Sequence, residues 1–244
     1  MKRFLKSLLN RLGYEVVVKD RSFASLVAAL RERSLETVVD VGANVGQFGK
    51  ALRRAGFTGR IISFEPNSTC FDALSTASEK DSSWAVYCMA LSDRAGTATL
   101  NITQNSVFGS LLQPTPELSV VDSGSAVASA ASVRIDRLDL VWPALVGVET
   151  KSVYLKIDTQ GSDASVLRGA EGVMQHIEGL QLEMAFVAGY EGQPLFTSVH
   201  EFLVKSGFQL SRIDEVFRDF ELDLLREVDA RYWRPTGSGR RSNR

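Results

Sequence analysis

The stretch from Thr37 to Gly46 limits the possible folds of this chain more than any other. Its first five residues, Thr-Val-Val-Asp-Val, are typical of a buried strand, and Gly-Ala-Asn-Val-Gly follows as a turn into a helical pattern. Gly42 and Gly46 allow a sharp turn and a close approach of the backbone to a ligand. Because ligands bind at the carboxyl ends of strands in open α/β sheets, the stretch predicts a binding site at this turn.

The rest of the chain repeats this alternation of short apolar runs and longer helical periods. The expected strands are 60–64, 85–90, 152–157 and 179–186 with a last one after Phe208, and the expected helices are 47–55, 68–78, 164–176 and 197–206. Pro66 precedes the second of these helices, as proline often does near a first turn. The alternation predicts a doubly wound, mostly parallel sheet in one domain, because 244 residues with 44 % apolar content suffice for one core.

Three segments lie outside this main domain, which we place at residues 36–233, or interrupt it. Residues 1–35 are predicted to form a helical cover, and the basic, amphipathic first twelve residues are expected to contact a partner subunit, such as a second copy in a homodimer, or a membrane surface. Residues 97–137 lose the helical period, which predicts an insertion in which strand-like pieces at 98–103 and 132–135 flank a mobile loop rich in Ser and Ala at 122–132. Residues 234–244 lack apolar side chains, which predicts a disordered tail.

Charge and composition narrow the classes of partner. The 28 Lys and Arg residues are balanced by 29 Asp and Glu residues, so the surface has no excess positive charge to hold a nucleic acid. The two cysteines show no metal-ligand spacing, which argues against a zinc site and a disulfide framework. Apolar runs end before bilayer-spanning length, so we expect a cytoplasmic protein.

The turn and the acids at the strand ends indicate the cofactor. Asn44 stands where the dinucleotide fingerprint requires glycine, which makes NAD the weaker choice. Glu65 ends the second strand, where a carboxylate can accept hydrogen bonds from both ribose hydroxyls of a nucleoside. With Asp40 beside the turn, this pattern favours S-adenosyl-L-methionine (SAM), which carries an ammonium group and no phosphate. The predicted cofactor-binding residues are Asp40, Gly42, Asn44, Gly46, Glu65, Pro66, Ser92 and Asp93, of which the last two would border the adenine. Each acid taken alone is equally well explained as a solvated or helix-capping residue.

A second group of acids follows two later strands. Asp158 and Glu183 are expected at the carboxyl edges of neighbouring strands, on the side of the substrate. Carboxylates there can orient a hydroxyl, accept its proton or hold a divalent cation, and the sequence does not choose among these roles. Alternatively, Asp158 caps the next helix and Glu183 pairs with Lys156. Tyr190, in the loop after the Glu183 strand, is a predicted substrate contact, with a packed core aromatic as the alternative.

Four separated motifs together resemble one known family. They are Asp40-Val-Gly-Ala-Asn-Val-Gly46, Ser63-Phe-Glu-Pro66, Ala90-Leu-Ser-Asp93 and Leu155-Lys-Ile-Asp-Thr-Gln-Gly161, and they are similar to those of FkbM-type SAM-dependent methyltransferases. The resemblance spans roughly 37–208 and implies the class I, Rossmann-like fold, a seven-stranded sheet that ends in an antiparallel hairpin. It also implies O-methylation of hydroxyls on sugars, glycans or polyketide-type molecules. Asp163 stands where the family usually has glutamate, and the insertion before Ser132 is unusually rich in Ser and Ala.

Three rival functions remain at this point. The first is an NAD-dependent oxidoreductase on a Rossmann scaffold, which the Asn44 position disfavours. The second is a non-catalytic SAM-fold partner protein, which loss of motif residues would have indicated. The third is RNA methylation, which the neutral charge balance disfavours.

Overall fold

The computed structural model of the protein describes residues 21–121, 123–148, 150, 152–219 and 222–235. The strands are β1 (Thr37–Val41), β2 (Arg60–Phe64), β3 (Trp84–Tyr87), β4 (Ala90–Leu91), β5 (Gly96–Thr103), β6 (Val127–Asp136), β7 (Val153–Ile157), β8 (Ile177–Ala185), β9 (Gln209–Asp219) and β10 (Leu224–Trp233). The α-helices are α1 (Arg21–Glu32), α2 (Gln47–Arg54), α3 (Ser68–Ser78), α4 (Pro116–Val121), α5 (Leu138–Val141), α6 (Asp163–Gly169) and α7 (Phe196–Lys205).

The main sheet has seven strands in the order β3-β2-β1-β7-β8-β10-β9. The first five of these run parallel, whereas β10 is antiparallel to both of its neighbours. Strand order reverses between β1 and β7, so the carboxyl ends of these two strands flank the topological switch point. The predicted doubly wound sheet with an antiparallel C-terminal hairpin is confirmed.

The core lies on both faces of this sheet because its central strands are apolar on both sides. Alternate residues of β1 point to opposite faces, so Val38 packs with α1 and α2 whereas Val39 packs with the opposite layer. Leu52 of α2 is fully buried in the first layer, and Leu167 of α6 and Leu203 of α7 are buried in the second. Two covered faces explain why the parallel strands read as continuous apolar runs.

The predicted insertion is largely ordered as a second, three-stranded sheet in the order β4-β6-β5. The expected single strand at 85–90 is wrong, since β3 ends at Tyr87 and the chain then leaves the main sheet to pair β4 with β6. The expected mobile loop at 122–132 is also wrong over residues 127–132, which pair with β5 through backbone hydrogen bonds. The strand-like pieces expected at 98–103 and 132–135 lie in β5 and β6. The first part of β6 was not predicted, because its small Ser and Ala side chains lack the apolar alternation by which half-buried strands are recognised.

Other element boundaries differ from the prediction by small amounts. The predicted helix at 164–176 is α6 followed by a 3-10 segment, Glu171–His176. Pro66 lies before the α3 cap residue, Asn67, and not in the first turn of the helix. The predicted helical cover is seen as α1 in its described part, whereas residues 1–20 and 236–244 lie outside the described residues. In the described ranges, no helix is both long and apolar enough to cross a membrane.

Candidate functional site

A cleft of about 800 Å³ opens at the carboxyl ends of the central strands. One end is bordered by the turn after β1 and the end of β2, and the other by the ends of β7 and β8 and by β10. The segment 106–111 closes one side of it. This volume suits a ligand of nucleoside size together with a second small molecule. We call the first end the nucleoside half and the second end the acceptor half, after the ligands that the sequence predicts for them.

The turn after β1 forms the floor of the nucleoside half. Gly42, Asn44 and Gly46 all have positive φ angles, of 75°, 48° and 82°. A Cβ at Gly42 would lie 1.8 Å from the carbonyl oxygen of Asp158. The close approach of the neighbouring backbone therefore requires glycine at position 42 by itself. The approach of a ligand to this turn stays a prediction.

Glu65 is the acid that faces the nucleoside half. Its Oε2 accepts a hydrogen bond from the backbone N–H of Asn44 and its Oε1 accepts one from Asn67, each at 2.8 Å. Burial raises the pKa of this carboxyl group, and the two backbone hydrogen bonds oppose that rise. Glu65 and Pro66 both line the cleft, as predicted cofactor residues should. The carboxylate is thus fixed while lone pairs remain for hydroxyl donors.

Asp40 is placed differently from its prediction. Its side chain is fully buried and does not line the cleft, because Asp40 lies in register with Ser63 and Lys156 on one face of the sheet. Lys156 Nζ lies 3.1 Å from Asp40 Oδ1, and the Ser63 hydroxyl donates to Oδ2 at 3.2 Å. The same Nζ donates to the Gly42 carbonyl oxygen at 2.8 Å. Asp40 therefore supports the turn through Lys156 instead of contacting a ligand.

Ser92 and Asp93 also lie away from the cleft. Because β4 has left the main sheet, Ser92 is buried against α6, where its carbonyl oxygen would lie 1.9 Å from a Cβ at Gly169. Asp93 forms an ion pair with Arg168 at 2.9 Å, and this hydrogen-bonded partner lowers the pKa of the aspartate. Ala90 and Leu91, the residues just before them, line the cleft instead, so the prediction for residues 92 and 93 needs this correction.

Asp158 and Glu183 meet in the acceptor half through a third residue. Gln160 Nε2 donates to Asp158 Oδ1 at 3.0 Å and to Glu183 Oε2 at 2.8 Å. Lys156 Nζ lies 3.5 Å from Asp158 Oδ2, so this lysine pairs with Asp40 and Asp158 rather than with Glu183. Burial opposes the charge of Lys156, yet these two carboxylates outweigh burial and raise the pKa of the lysine. The structure thus brings the two predicted acids together, with a lysine beside only one of them.

More carboxylates surround this pair than the sequence indicated. Asp229 of β10 lies opposite Glu183 in the β8–β10 register, and Glu227 lies one pleat further along the same strand. Burial, and then the charge of Asp158, raises the pKa of Asp229 to about 6 and that of Asp163 to about 7. Burial and the same neighbour raise the pKa values of Glu183 and Glu227 as well. The sequence signal for Glu227 and Asp229 was their spacing by two, which places both side chains on one face of a strand. It could not be used until the pairing of β10 with β8 was known.

Tyr190 forms part of the wall of the cleft. It is 1 % exposed, and its hydroxyl donates to Gln160 Oε1 at 2.8 Å and lies 3.1 Å from the carbonyl oxygen of Phe108. Its ring would lie 3.0 Å from a Cβ at Gly161. The side chain is thus packed as in the alternative of a core aromatic, and the substrate contact of Tyr190 stays a prediction.

No three His, Cys, Asp or Glu side chains of the described residues are arranged to hold a metal ion together.

Comparison with known proteins gives the family. The model of the family described as "Methyltransferase FkbM domain" matches residues 40–210, well over half of the chain. The protein belongs to this family. The predicted family is therefore confirmed, and the matched range contains both the turn after β1 and the Asp158–Glu183 pair.

Individual relatives are more distant. A protein of Sordaria araneosa described as Methyltransferase sdnD is 27 % identical over 198 residues, which cover 72 % of this chain and 74 % of that protein. Among solved structures, magnesium protoporphyrin IX methyltransferase of Synechocystis with bound SAM has a TM-score of 0.48 at 13 % identity, covering 88 % of this chain and 79 % of that one. A precorrin-6y C5,15-methyltransferase of Geobacter metallireducens has a TM-score of 0.46 at 12 % identity, with coverage of 90 % and 91 %.

Proposed function

We propose that the protein is a SAM-dependent methyltransferase that methylates a hydroxyl oxygen of a sugar, glycan or polyketide-type small molecule. The observation that carries the cofactor assignment is the Glu65 carboxylate. It is held by the backbone N–H groups of Asn44 and Asn67 at the end of β2, beside the glycine turn and in the wall of the cleft. A carboxylate fixed at this position suits the two ribose hydroxyls of a nucleoside.

The chain's own residues divide the work of holding the cofactor. Gly42, Ala43 and Asn44 would face its methionine part, Glu65 its ribose, and Ala90 with Leu91 its adenine. When bound, SAM supplies a methyl group on a sulfonium, which an oxygen nucleophile can attack. Glu65 and Asp158 line the two halves of one cleft, so a cofactor held at Glu65 would present its methyl group to an acceptor beside Asp158.

Asp158 is the proposed proton acceptor and Glu183 the second choice. Lys156 Nζ lies 3.5 Å from Asp158 Oδ2, whereas burial raises the pKa of Glu183 and favours its neutral form. The carboxylate of Asp158 can accept the proton that an acceptor hydroxyl loses as its oxygen is methylated. Transfer then depends mainly on holding the acceptor oxygen close to the methyl group, about 3 Å away.

The charge of the acceptor half narrows the acceptor class. Carboxylates of Asp158, Glu183, Glu227 and Asp229 line this half. Of the cations in the same wall, Lys156 is engaged by Asp40 and Arg231 Nη2 lies 3.5 Å from Gln181 Oε1. An anionic acceptor such as a sugar phosphate would be repelled at close range by Asp229, whose pKa of about 6 leaves it mostly charged at neutral pH. We therefore propose an uncharged or amine-bearing acceptor.

Ligand-dependent melting tests the cofactor. We expect SAM or its demethylated product, at about a hundredfold excess over Kd, to raise Tm by about 5–10 °C. NAD at the same concentration is expected to leave Tm unchanged, because the turn lacks the glycine that a pyrophosphate needs. Stabilisation by NAD alone, or by no nucleotide in well-folded protein, would contradict the proposal.

Substitution of Asp158 tests the proton acceptor. We expect Asp158→Asn to lower kcat for a hydroxyl acceptor by about 10²–10⁴-fold, because the amide cannot take the proton. The Kd for SAM, measured by calorimetry, should stay within about twofold because Glu65 and the glycine turn are unchanged. Full activity of the variant would remove Asp158 from this role, and Asp214→Asn, a variant at the rim of the cleft, serves as the control.

A further inference from the structure

Gln160 lies in the loop after β7, and the methyl transfer proposed above gives its side chain no role. Its backbone is in the left-handed region, with a φ angle of 53°. The Ser110 hydroxyl donates to its carbonyl oxygen at 2.6 Å, which ties this backbone to the segment over the cleft. A strained backbone that is retained beside a cleft often serves to aim a side chain.

The side-chain amide of Gln160 has only one orientation that satisfies its neighbours. Both hydrogens of Nε2 are used, one on Asp158 Oδ1 and one on Glu183 Oε2. The Tyr190 hydroxyl donates to Oε1 at 2.8 Å. A reversed amide would turn its oxygen toward two carboxylates, so the tyrosine fixes the direction in which the nitrogen points.

Tyr190 is suited to keep this orientation at every pH the protein meets. Burial, followed by the charges of Glu183 and Glu227, raises the pKa of the Tyr190 hydroxyl. The hydroxyl therefore stays protonated and remains a donor to the amide oxygen.

The amide of Gln160 lies between the two acids. Both carboxylate oxygens lie within 3.0 Å of the same nitrogen atom, which donates to each of them. A donor to a carboxylate favours its charged form, so this hydrogen bond opposes the rise that burial causes in the pKa of Glu183.

We propose that Gln160 is a positioning residue that holds the carboxylates of Asp158 and Glu183 apart, so that each presents a separate oxygen to the acceptor. This role rests on the proposed function, because the pair is assigned there to the proton of the acceptor hydroxyl. Gln160 itself transfers no proton and touches no reacting atom. It acts through the two acids, and Tyr190 acts on it in turn.

Carbon-13 titration of the side-chain carboxyl groups in the full chain tests the proposal without an acceptor. Glu183 and Asp158 are assigned by comparison with Glu183→Gln and Asp158→Asn. The other groups that face Glu183 are Asp163 of α6, Glu227 and Asp229 of β10, and Tyr190. In Gln160→Leu we expect the titration midpoint of Glu183 to rise by about one pH unit or more, since a donor to its charged form is lost.

Two further variants keep this test decisive. Gln113→Leu is the matched control, because the Gln113 amide donates to Asn101 Oδ1 and contacts no carboxylate, and the Glu183 midpoint should not change. Tyr190→Phe retains the ring and removes only the donor to Gln160, so the midpoint should rise by less than in Gln160→Leu. If Gln160→Leu does not fold, Gln160→Asn, whose amide is too short to reach both acids, should show the same upward change.

An unchanged Glu183 midpoint in a folded Gln160 variant would overturn the proposal. Calorimetry separates this outcome from failure of the proposed function. The Gln160 variants should bind the demethylated cofactor product within about twofold of the parent, because the nucleoside half is untouched. A parent protein that binds neither SAM nor this product would contradict the proposed function instead.

Discussion

Glu65→Gln is expected to weaken SAM binding by about ten- to a hundredfold, as measured by calorimetry. The carboxylate now gives one oxygen to the N–H of Asn44 and the other to that of Asn67, and both oxygens keep a lone pair for the cleft. A glutamine has one carbonyl oxygen and one NH₂ group, which cannot accept from a backbone N–H. One backbone donor and one ribose hydroxyl therefore lose their acceptor.

The control for this variant lies in the same sheet, at the amino ends of the parallel strands. Glu178 is partly buried near the amino end of β8, far from the cleft that Glu65 lines. Glu178→Gln should bind SAM as the parent does. Parental affinity in a folded Glu65→Gln protein would show that the cofactor assignment is wrong at this residue.

Lys156→Met is expected to cost about 3–5 kcal/mol of unfolding free energy, measured by denaturant titration. The lysine is 3.1 Å from Asp40 Oδ1, with relative side-chain exposures of 8 % and 0 %. Methionine fills a similar volume but leaves the Asp40 charge buried without a cation. It also leaves the Gly42 carbonyl oxygen without the donor it now has at 2.8 Å.

Burial, not the presence of an ion pair, is the cause of this large effect. Lys205 and Glu201 form a pair at 2.7 Å that is 72 % and 65 % exposed. Lys205→Met should therefore leave the denaturation midpoint essentially unchanged. The double variant Asp40→Leu with Lys156→Met should recover much of the lost stability, because no unpaired charge is then buried. Equal stability of Lys156→Met and the parent would show that the pair is not needed.

The strands of the main sheet could be predicted because their apolar runs are long and end at glycine turns. Thr37–Val41 and Arg60–Phe64 were predicted to the residue, since both are buried on two faces and read as continuous β-branched runs. Of Val127–Asp136, only 132–135 was predicted, because the exposed Ser and Ala residues before it carry no such pattern. The sequence shows apolar burial well and backbone pairing of small residues poorly.

The site was predictable only where residues lie close in sequence to a strand end. Glu65 directly follows β2, and it faces the cleft as expected. The prediction for Ser92 was wrong because the chain leaves the main sheet after Tyr87. No local sequence pattern indicates this departure. Asp229 was overlooked because its position depends on antiparallel pairing with Glu183, a contact between distant parts of the chain.

The contact between Gly42 and the backbone of Asp158 joins the two halves of the cleft. The Asp158 N–H donates to the Val41 carbonyl oxygen at 3.0 Å, and the space for a Cβ at Gly42 is filled by the Asp158 carbonyl oxygen. Sequence changes that shift the loop after β7 would therefore also displace the glycine turn after β1. In such a molecule, new acceptor preferences can arise with least disturbance on β10, which pairs with neither β1 nor β7, while the two strand ends evolve together as one unit.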